Sequence, residues 1–294
     1  MLRLAILTDE VSQDLDAVLR FASDFQLGGI ELRSLFGSAF KDLTPAQIHT
    51  LAERTRAAGL AVVGCASPVF KCDLHSAADI ATHREHFRRA IETAHTLGCD
   101  LVRVFTFLRN EHATTADEVA RAAAHFPALL EIAVGSGVRI GVENEASCLI
   151  ATGAEMRDFL AHLPVHPQLG VVWDPCNVLY VAGSSDPVRD DFPLVAERVL
   201  HLHVKDAARH GTRPAERCVE LGTGALDFPA QLRALLAHGY RGWVSLETHW
   251  RSVPLDDDSQ HLPAGHAFSA HAEPASRICM EHLQRWVREA GEGQ

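Results

Sequence analysis

A chain of 294 residues with 47% hydrophobic and 22% charged residues has the apolar content for one large packed core and too little charge for extended disorder. Its 38 acidic residues outnumber 27 basic ones for a net charge of −11, which repels a phosphate backbone and disfavours nucleic acid as a partner. Asp9 and Glu10 interrupt the opening apolar run, and no stretch of about eighteen uncharged apolar residues follows, so neither an export signal nor a membrane span is expected and the cytoplasm is the expected location.

In chain order, Leu2-Arg3-Leu4-Ala5-Ile6-Leu7 is the first of eight apolar runs of strand length. The others are GIEL from Gly29, LAVVGCA from Leu60, LVRVFTF from Leu101, VRIGVEN from Val138, LGVVW from Leu169, LHLHV from Leu200 and WVSLE from Trp243. Amphipathic stretches lie between them, and three open on a Thr followed three residues later by Gln or Glu: Thr44 with Gln47, Thr115 with Glu118, and Thr152 with Glu155. That spacing predicts capping boxes, with Pro45 at a first-turn position where its missing N–H costs nothing. Glycine precedes the strands in QLGGIEL, AAGLAVV, TLGCDLVRV, GSGVRIGV and AHGYRGWVSL, where a left-handed residue stops a helix.

Strands apolar on both faces that alternate with helices imply parallel strands and right-handed crossovers. Eight such units predict an α/β fold, a single (β/α)8 TIM barrel over residues 1–294. The rival, a doubly wound open sheet, lacks its Gly-rich turn, since Thr8, Asp9 and Glu10 follow the first run. The least regular stretch, about 252–270, reads as a lid, as an arm onto a second copy in a homodimer, or as a solvated loop. Seven cysteines, odd in number and without a CxxC pair, suit a reducing compartment. Cys176 beside Asp174 reads as a bystander.

Such a barrel places its chemistry at the carboxyl ends of the strands. The fifth run ends Val142-Glu143-Asn144-Glu145, the sixth Trp173-Asp174-Pro175-Cys176-Asn177, the seventh reads His201-Leu202-His203-Val204-Lys205-Asp206, and the eighth ends Leu246-Glu247-Thr248-His249. A side-chain period of two pairs Glu143 with Glu145, His201 with His203, and Glu247 with His249 on common faces. If those faces point inward, Glu143, Asp174, His203 and Glu247 converge as three carboxylates and one imidazole. This set suits one divalent metal, with Mn²⁺ or Mg²⁺ favoured by the oxygen-rich balance and Co²⁺ or Zn²⁺ open.

The ordered set Gly29-Ile30-Glu31-Leu32-Arg33, Val142-Glu143-Asn144, Trp173-Asp174-Pro175, His203-Val204-Lys205-Asp206 and Gly239 to Glu247 resembles the xylose isomerase-like barrel family over nearly the full chain. That family holds sugar isomerases and epimerases, inosose dehydratases and apurinic-site endonucleases. The resemblance implies Glu143, Asp174, His203 and Glu247 as metal ligands. It also implies Glu143 and Glu247 as a catalytic pair that moves a proton through an enediolate of a carbohydrate substrate. Arg209, six residues after His203, stands where ketose epimerases carry an arginine for substrate oxygens.

Asn177 stands where many members have a substrate-binding histidine, and the resemblance implies a substrate contact for it too. An amide cannot titrate, which weakens a ketose 3-epimerase and leaves a dehydratase or lyase of a keto-sugar or cyclitol open. A non-catalytic sugar-binding partner subunit is a further alternative. The extra histidine ligands of the endonucleases are not evident.

Glu145, His249 and Lys71 are expected to meet substrate, with Glu10, Glu31, Arg33 and Arg103 as further strand-end candidates. Lys71 and Arg103 suit either a substrate carboxylate or phosphate, or neutralisation of the acidic cluster. His201 and Lys205 are expected to support the ligands from behind, with His201 able to exchange roles with His203. Gly222-Thr223-Gly224 reads as a plain turn more than a phosphate site.

Overall fold

A computed structural model describes residues 2–110, 114–211, 213–253 and 265–292. Eight parallel strands form a nearly closed barrel: β1 (Arg3–Ile6), β2 (Gly29–Leu32), β3 (Ala61–Ala66), β4 (Leu101–Val104), β5 (Arg139–Glu143), β6 (Leu169–Trp173), β7 (Val199–Val204) and β8 (Trp243–Leu246). Each falls within or against one of the eight apolar runs. The hydrogen-bonded order is β1-β8-β7-β6-β5-β4-β3-β2. A parallel bridge between Leu7 and Glu31 brings β1 beside β2. The register Ser245↔His203 and Trp243↔His201 places the two histidines of β7 level with alternate residues of β8.

Helices α1 (Leu15–Asp24), α2 (Pro45–Ala57), α3 (Ala77–Leu97), α4 (Ala116–Ala123), α5 (Phe126–Ala133), α6 (Gly153–Ala161), α7 (Pro175–Leu179), α8 (Phe228–Ala237) and α9 (Ala272–Glu292) connect and cover the strands. All three Thr capping boxes form, each with the Thr side chain accepting the N3 backbone N–H and the Gln or Glu side chain reaching back. At the other end of α3, Gly98 takes φ 65° and stops the helix before β4. The apolar faces of the helices, Val18 and Phe21 of α1 and Phe87 and Ile91 of α3 among them, bury against the outside of the sheet.

The fourth run is longer than its strand. β4 ends at Val104 because the N–H groups of Phe105 and Phe107 bond to the carbonyls of Val69 and Phe70 instead of a barrel neighbour, and Phe107 turns through φ 69°. That departure aims Phe105 at the mouth of the barrel, where it lines the central cavity.

Residues 254–264, the middle of the expected lid or dimer arm, lie outside the described residues. The described end of that stretch is tied down across the β1 and β8 ends. Ser269 Oγ donates to Asp9 O at 2.9 Å, and Arg251 Nη2 donates to Phe268 O at 3.0 Å. Phe268 becomes a wall of the cavity. Among the described residues, no helix is long and apolar enough to cross a membrane.

Candidate metal centre

Each of the four expected ligands is delivered by a different local device. Asp174 ends β6 and caps α7. Its Oδ1 accepts the N–H groups of Cys176 at 2.8 Å and Asn177 at 3.2 Å, which leaves Oδ2 facing the barrel axis. Asn144, just past β5, holds that corner: its Oδ1 accepts the Asp174 N–H at 2.8 Å and its Nδ2 donates to the Asp174 carbonyl at 2.8 Å. Glu143 and Glu247 close their strands, buried to within 2% and 5% exposure, and both line the cavity. His203, on the inward face of β7, turns Nδ1 to within 3.0 Å of Glu143 Oε1 and 3.5 Å of Glu247 Oε2. Ligand atoms of Glu143, Asp174, His203 and Glu247 all lie within 4.8 Å of one another.

Glu31 lies behind His203 rather than in the cavity, which corrects its reading as a substrate contact. Its Oε1 is 3.1 Å from His203 Nε2, and its Oε2 is 2.9 Å from His201 Nε2. Gly64 on β3 makes the room, since a Cβ there would stand 3.1 Å from the Glu31 carboxylate. A carboxylate that accepts the far N–H of an imidazole fixes its tautomer and aims the other nitrogen at the ligand site. His201 lies one layer deeper, 2.8 Å from Ser245 Oγ, with its ring 5.5 Å from that of His203 in a T-shaped contact. It supports Glu31 and stays out of the four-ligand cluster. Replacing Glu31 by Gln should weaken metal binding by about 10–100-fold with the fold intact, read by calorimetric titration; unchanged affinity would show that His203 needs no such partner.

Lys205 follows the same inward face. Its Nζ donates to Asp174 Oδ2 and, at 2.7 Å, to Glu247 Oε2. Burial pushes the Asp174 carboxyl up to about 7, with Glu247 and Glu143 adding to the effect against the pull of Lys205. Against the same cost of burial, Lys205 and His249 hold Glu247 well below the usual carboxylate range, and Arg103 and His203 lower Glu143. Three buried carboxylates around one imidazole, one of them resisting ionisation, form a donor set that fits a divalent cation.

Above the cluster is a cavity of about 450 Å³. Glu143 and Glu247 form part of its floor; Lys71, Arg103, Glu145, Arg33 and His249 line it, with Phe40, Phe105 and Phe268 as apolar walls. Of the expected substrate contacts, the structure therefore brings Lys71, Glu145 and His249 to the cavity. Arg33 is engaged by acids, with Nε 2.8 Å from Asp9 Oδ2, Nη2 2.9 Å from Glu10 Oε1 and Nη1 2.5 Å from Glu247 Oε1. The sequence reading missed that it orients Glu247. Glu10 is taken up by Arg33 and by Arg251 at 2.9 Å, and it does not line the cavity.

Two expected substrate contacts are placed elsewhere. Arg209 donates to the carbonyls of Ser184 at 2.9 Å and Arg213 at 3.1 Å, outside the cavity lining. The reason is that the chain beyond β7 folds back as a hairpin, Asp206–Ala208 against Arg217–Val219. Asn177 is buried in the first turn of α7, with Nδ2 donating to the Asn144 carbonyl at 2.7 Å. Gly222 and Gly224 are committed too: both N–H groups donate to Asp206 Oδ2 at 3.0 Å, which confirms a turn. Asp206 also accepts from Ala207 and Leu226, so Asp206→Ala should cost about 2 kcal/mol in urea unfolding; an unchanged midpoint would show that these bonds are replaced by water. Burial pushes the Cys176 thiol well above its usual range, in keeping with a bystander.

The model of the family described as xylose isomerase-like TIM barrel matches residues 19–273. The chain belongs to that family. An inosose dehydratase from Erwinia tasmaniensis is 24% identical over 157 residues, 49% of this chain and 52% of the relative, so the chain spans about half the length of the curated relative it matches. Among solved structures of this barrel type, an IOLI protein with a binding zinc atom superposes with a TM-score of 0.76 at 19% identity, covering 98% of this chain and 99% of that one. An L-ribulose 3-epimerase superposes with a TM-score of 0.72 at 20% identity, covering 100% and 97%. Such identities establish a shared fold.

Proposed function

We propose that the protein is a divalent-metal-dependent isomerase or epimerase of a sugar or sugar derivative. The observation that carries this reading is the convergence of Glu143, Asp174, His203 and Glu247 within 4.8 Å at the floor of a small cavity. All four residues would hold the cation, with Glu31 holding the His203 tautomer. Oxygen-rich ligation favours Mn²⁺ or Mg²⁺, the zinc-bearing relative favours Zn²⁺, and Co²⁺ is compatible with the same set. When bound, such an ion polarises a substrate carbonyl and acidifies the adjacent C–H.

Glu143 and Glu247 supply the proton transfers. They approach the cavity floor from β5 and β8, so one removes a proton and the other delivers one, at the opposite face in an epimerase or at the neighbouring carbon in an isomerase. Arg33 and Lys205 keep the Glu247 carboxylate oriented, and Arg103 with His203 does the same for Glu143. The surrounding Phe40, Phe105 and Phe268 walls limit water around the reacting carbon.

A dehydratase is the second reading, favoured by the inosose dehydratase match. Both reactions begin by removing a proton next to a carbonyl, and they part when a hydroxyl leaves. The test is incubation of metal-loaded protein with a panel of ketoses, aldoses and inososes in D₂O. Deuterium at carbon with inversion or carbonyl migration supports the first reading; deuterium with loss of water supports the second. A panel with metal bound and no exchange at any carbon would overturn both.

A further inference from the structure

We infer that the substrate carries a carboxylate, and that this group docks on Arg103 and Lys71, two cations that share the ring of Phe105. The inference rests on the cavity being the substrate site proposed above, and it narrows the substrate class to polyhydroxylated carboxylic acids.

Arg103 Cζ stands 4.0 Å from the centroid of the Phe105 ring, and Lys71 Nζ stands 4.8 Å from the same centroid. All three side chains line the cavity. Two cations lining one cavity repel each other, a cost that an anion paired with both relieves, and Lys71, with its side chain 36% exposed, is open to a ligand from solvent. Neither cation is fully used within the protein. Arg103, 5% exposed, forms an ion pair through Nη1 with Glu143 Oε2 at 3.1 Å, while its buried Nε has no hydrogen-bond partner. The Lys71 ammonium lies 3.7 Å from Glu145 Oε1, beyond hydrogen-bonding distance. That oxygen already accepts from the Ser147 N–H at 3.2 Å and hydroxyl at 2.9 Å.

Neutralising the metal-ligand carboxylates accounts for Arg103 only in part, and no contact joins Lys71 to Glu143. The guanidinium links the two ends of the site, because one edge meets the catalytic Glu143 while the ring beneath it carries Lys71. A substrate held by its carboxylate at this end would present its carbonyl carbon toward Glu143. Apolar Ala66, Pro68 and Phe268 face its C–H groups. A carboxylate would give Lys71 the close charge-assisted hydrogen bond it lacks within the protein and pair with the Arg103 guanidinium that lines the same cavity.

The test is calorimetric titration of the metal-loaded and metal-free protein with D-glucuronate, D-glucose and D-glucose 6-phosphate, with elemental analysis of the metal content. The expected result is binding of glucuronate at least about tenfold tighter than glucose, with most of that margin lost in Lys71→Met, retained in Lys71→Arg, and reduced by added salt. A preference for the phosphate ester over glucuronate would overturn the carboxylate assignment in favour of a phosphoryl group. Equal affinities, no binding of any probe, or a margin unchanged in Lys71→Met would overturn the inference altogether. A failure of the metal reading shows differently, as absence of bound metal with the charge preference still measurable in the metal-free protein.

Discussion

Glu143→Gln and Glu247→Gln are each expected to lower deuterium incorporation at the substrate carbon by at least about 100-fold, the low end of what a positioned acid or base contributes. Glutamine keeps the length and much of the hydrogen-bonding shape but carries no charge and takes no proton at neutral pH. At Glu247 the loss has two parts. The carboxylate Oε1 accepts from Arg33 at 2.5 Å and Oε2 from Lys205 at 2.7 Å, so an amide would leave one of these cations facing an N–H donor. Both glutamates are also expected metal ligands. Metal content and far-ultraviolet circular dichroism of each variant therefore accompany the exchange assay, and metal is supplied at saturation. Exchange unchanged in both folded variants would show that the pair does not carry the proton.

Asp174→Ala should abolish binding of the divalent ion proposed for this site. One oxygen of this residue caps α7 and the other faces the ligand cluster, so the substitution removes a metal donor and leaves two helix N–H groups without their acceptor. The cap is worth about 1 kcal/mol and the buried Lys205 loses one of its two acid partners as well, so far-ultraviolet circular dichroism of the variant accompanies the metal analysis to separate metal loss from loss of fold. The wild-type affinity carries its own signature. Burial pushes the Asp174 carboxyl up to about 7, so below that pH the incoming cation must displace a proton. The apparent affinity should fall as the pH drops through 7, and because Glu31 and Glu143 hold the His203 imidazole well above its usual range, the rise with pH should continue above 7, with proton release visible by calorimetry in buffers of different ionisation enthalpy. A full complement of metal in Asp174→Ala would remove this residue from the site.

Much of the site was legible because a strand alternates its side chains. Once Val142-Glu143, Leu202-His203 and Leu246-Glu247 are recognised as ends of buried parallel strands, the period of two and the shared carboxyl-end rim bring the polar residues to one mouth. The seventh strand shows the rule most fully, since His201, His203 and Lys205 all follow one inward face. Arg209 and Asn177, expected near substrate, lie beyond the strands and outside the cavity lining. Arg209 was placed by counting from His203, but the hairpin after β7 reverses the chain and sends its guanidinium to the Ser184 and Arg213 carbonyls. Asn177 was placed by counting from Asp174, and the tight first turn of α7 delivers it to the Asn144 carbonyl instead.

The amino-acid sequence by itself determined the eight strands, the three Thr capping boxes and the four acidic or imidazole side chains that converge at the barrel mouth, because apolar runs, capping spacings and strand alternation act over a few neighbouring residues. Only the tertiary structure decided the supporting contacts. Glu31 of β2 meets His203 of β7 across the barrel interior, 172 residues apart in sequence, and Arg33 joins Asp9, Glu10 and Glu247. Both depend on barrel closure, which sets β1 beside β8 and β2, and no local pattern encodes that register.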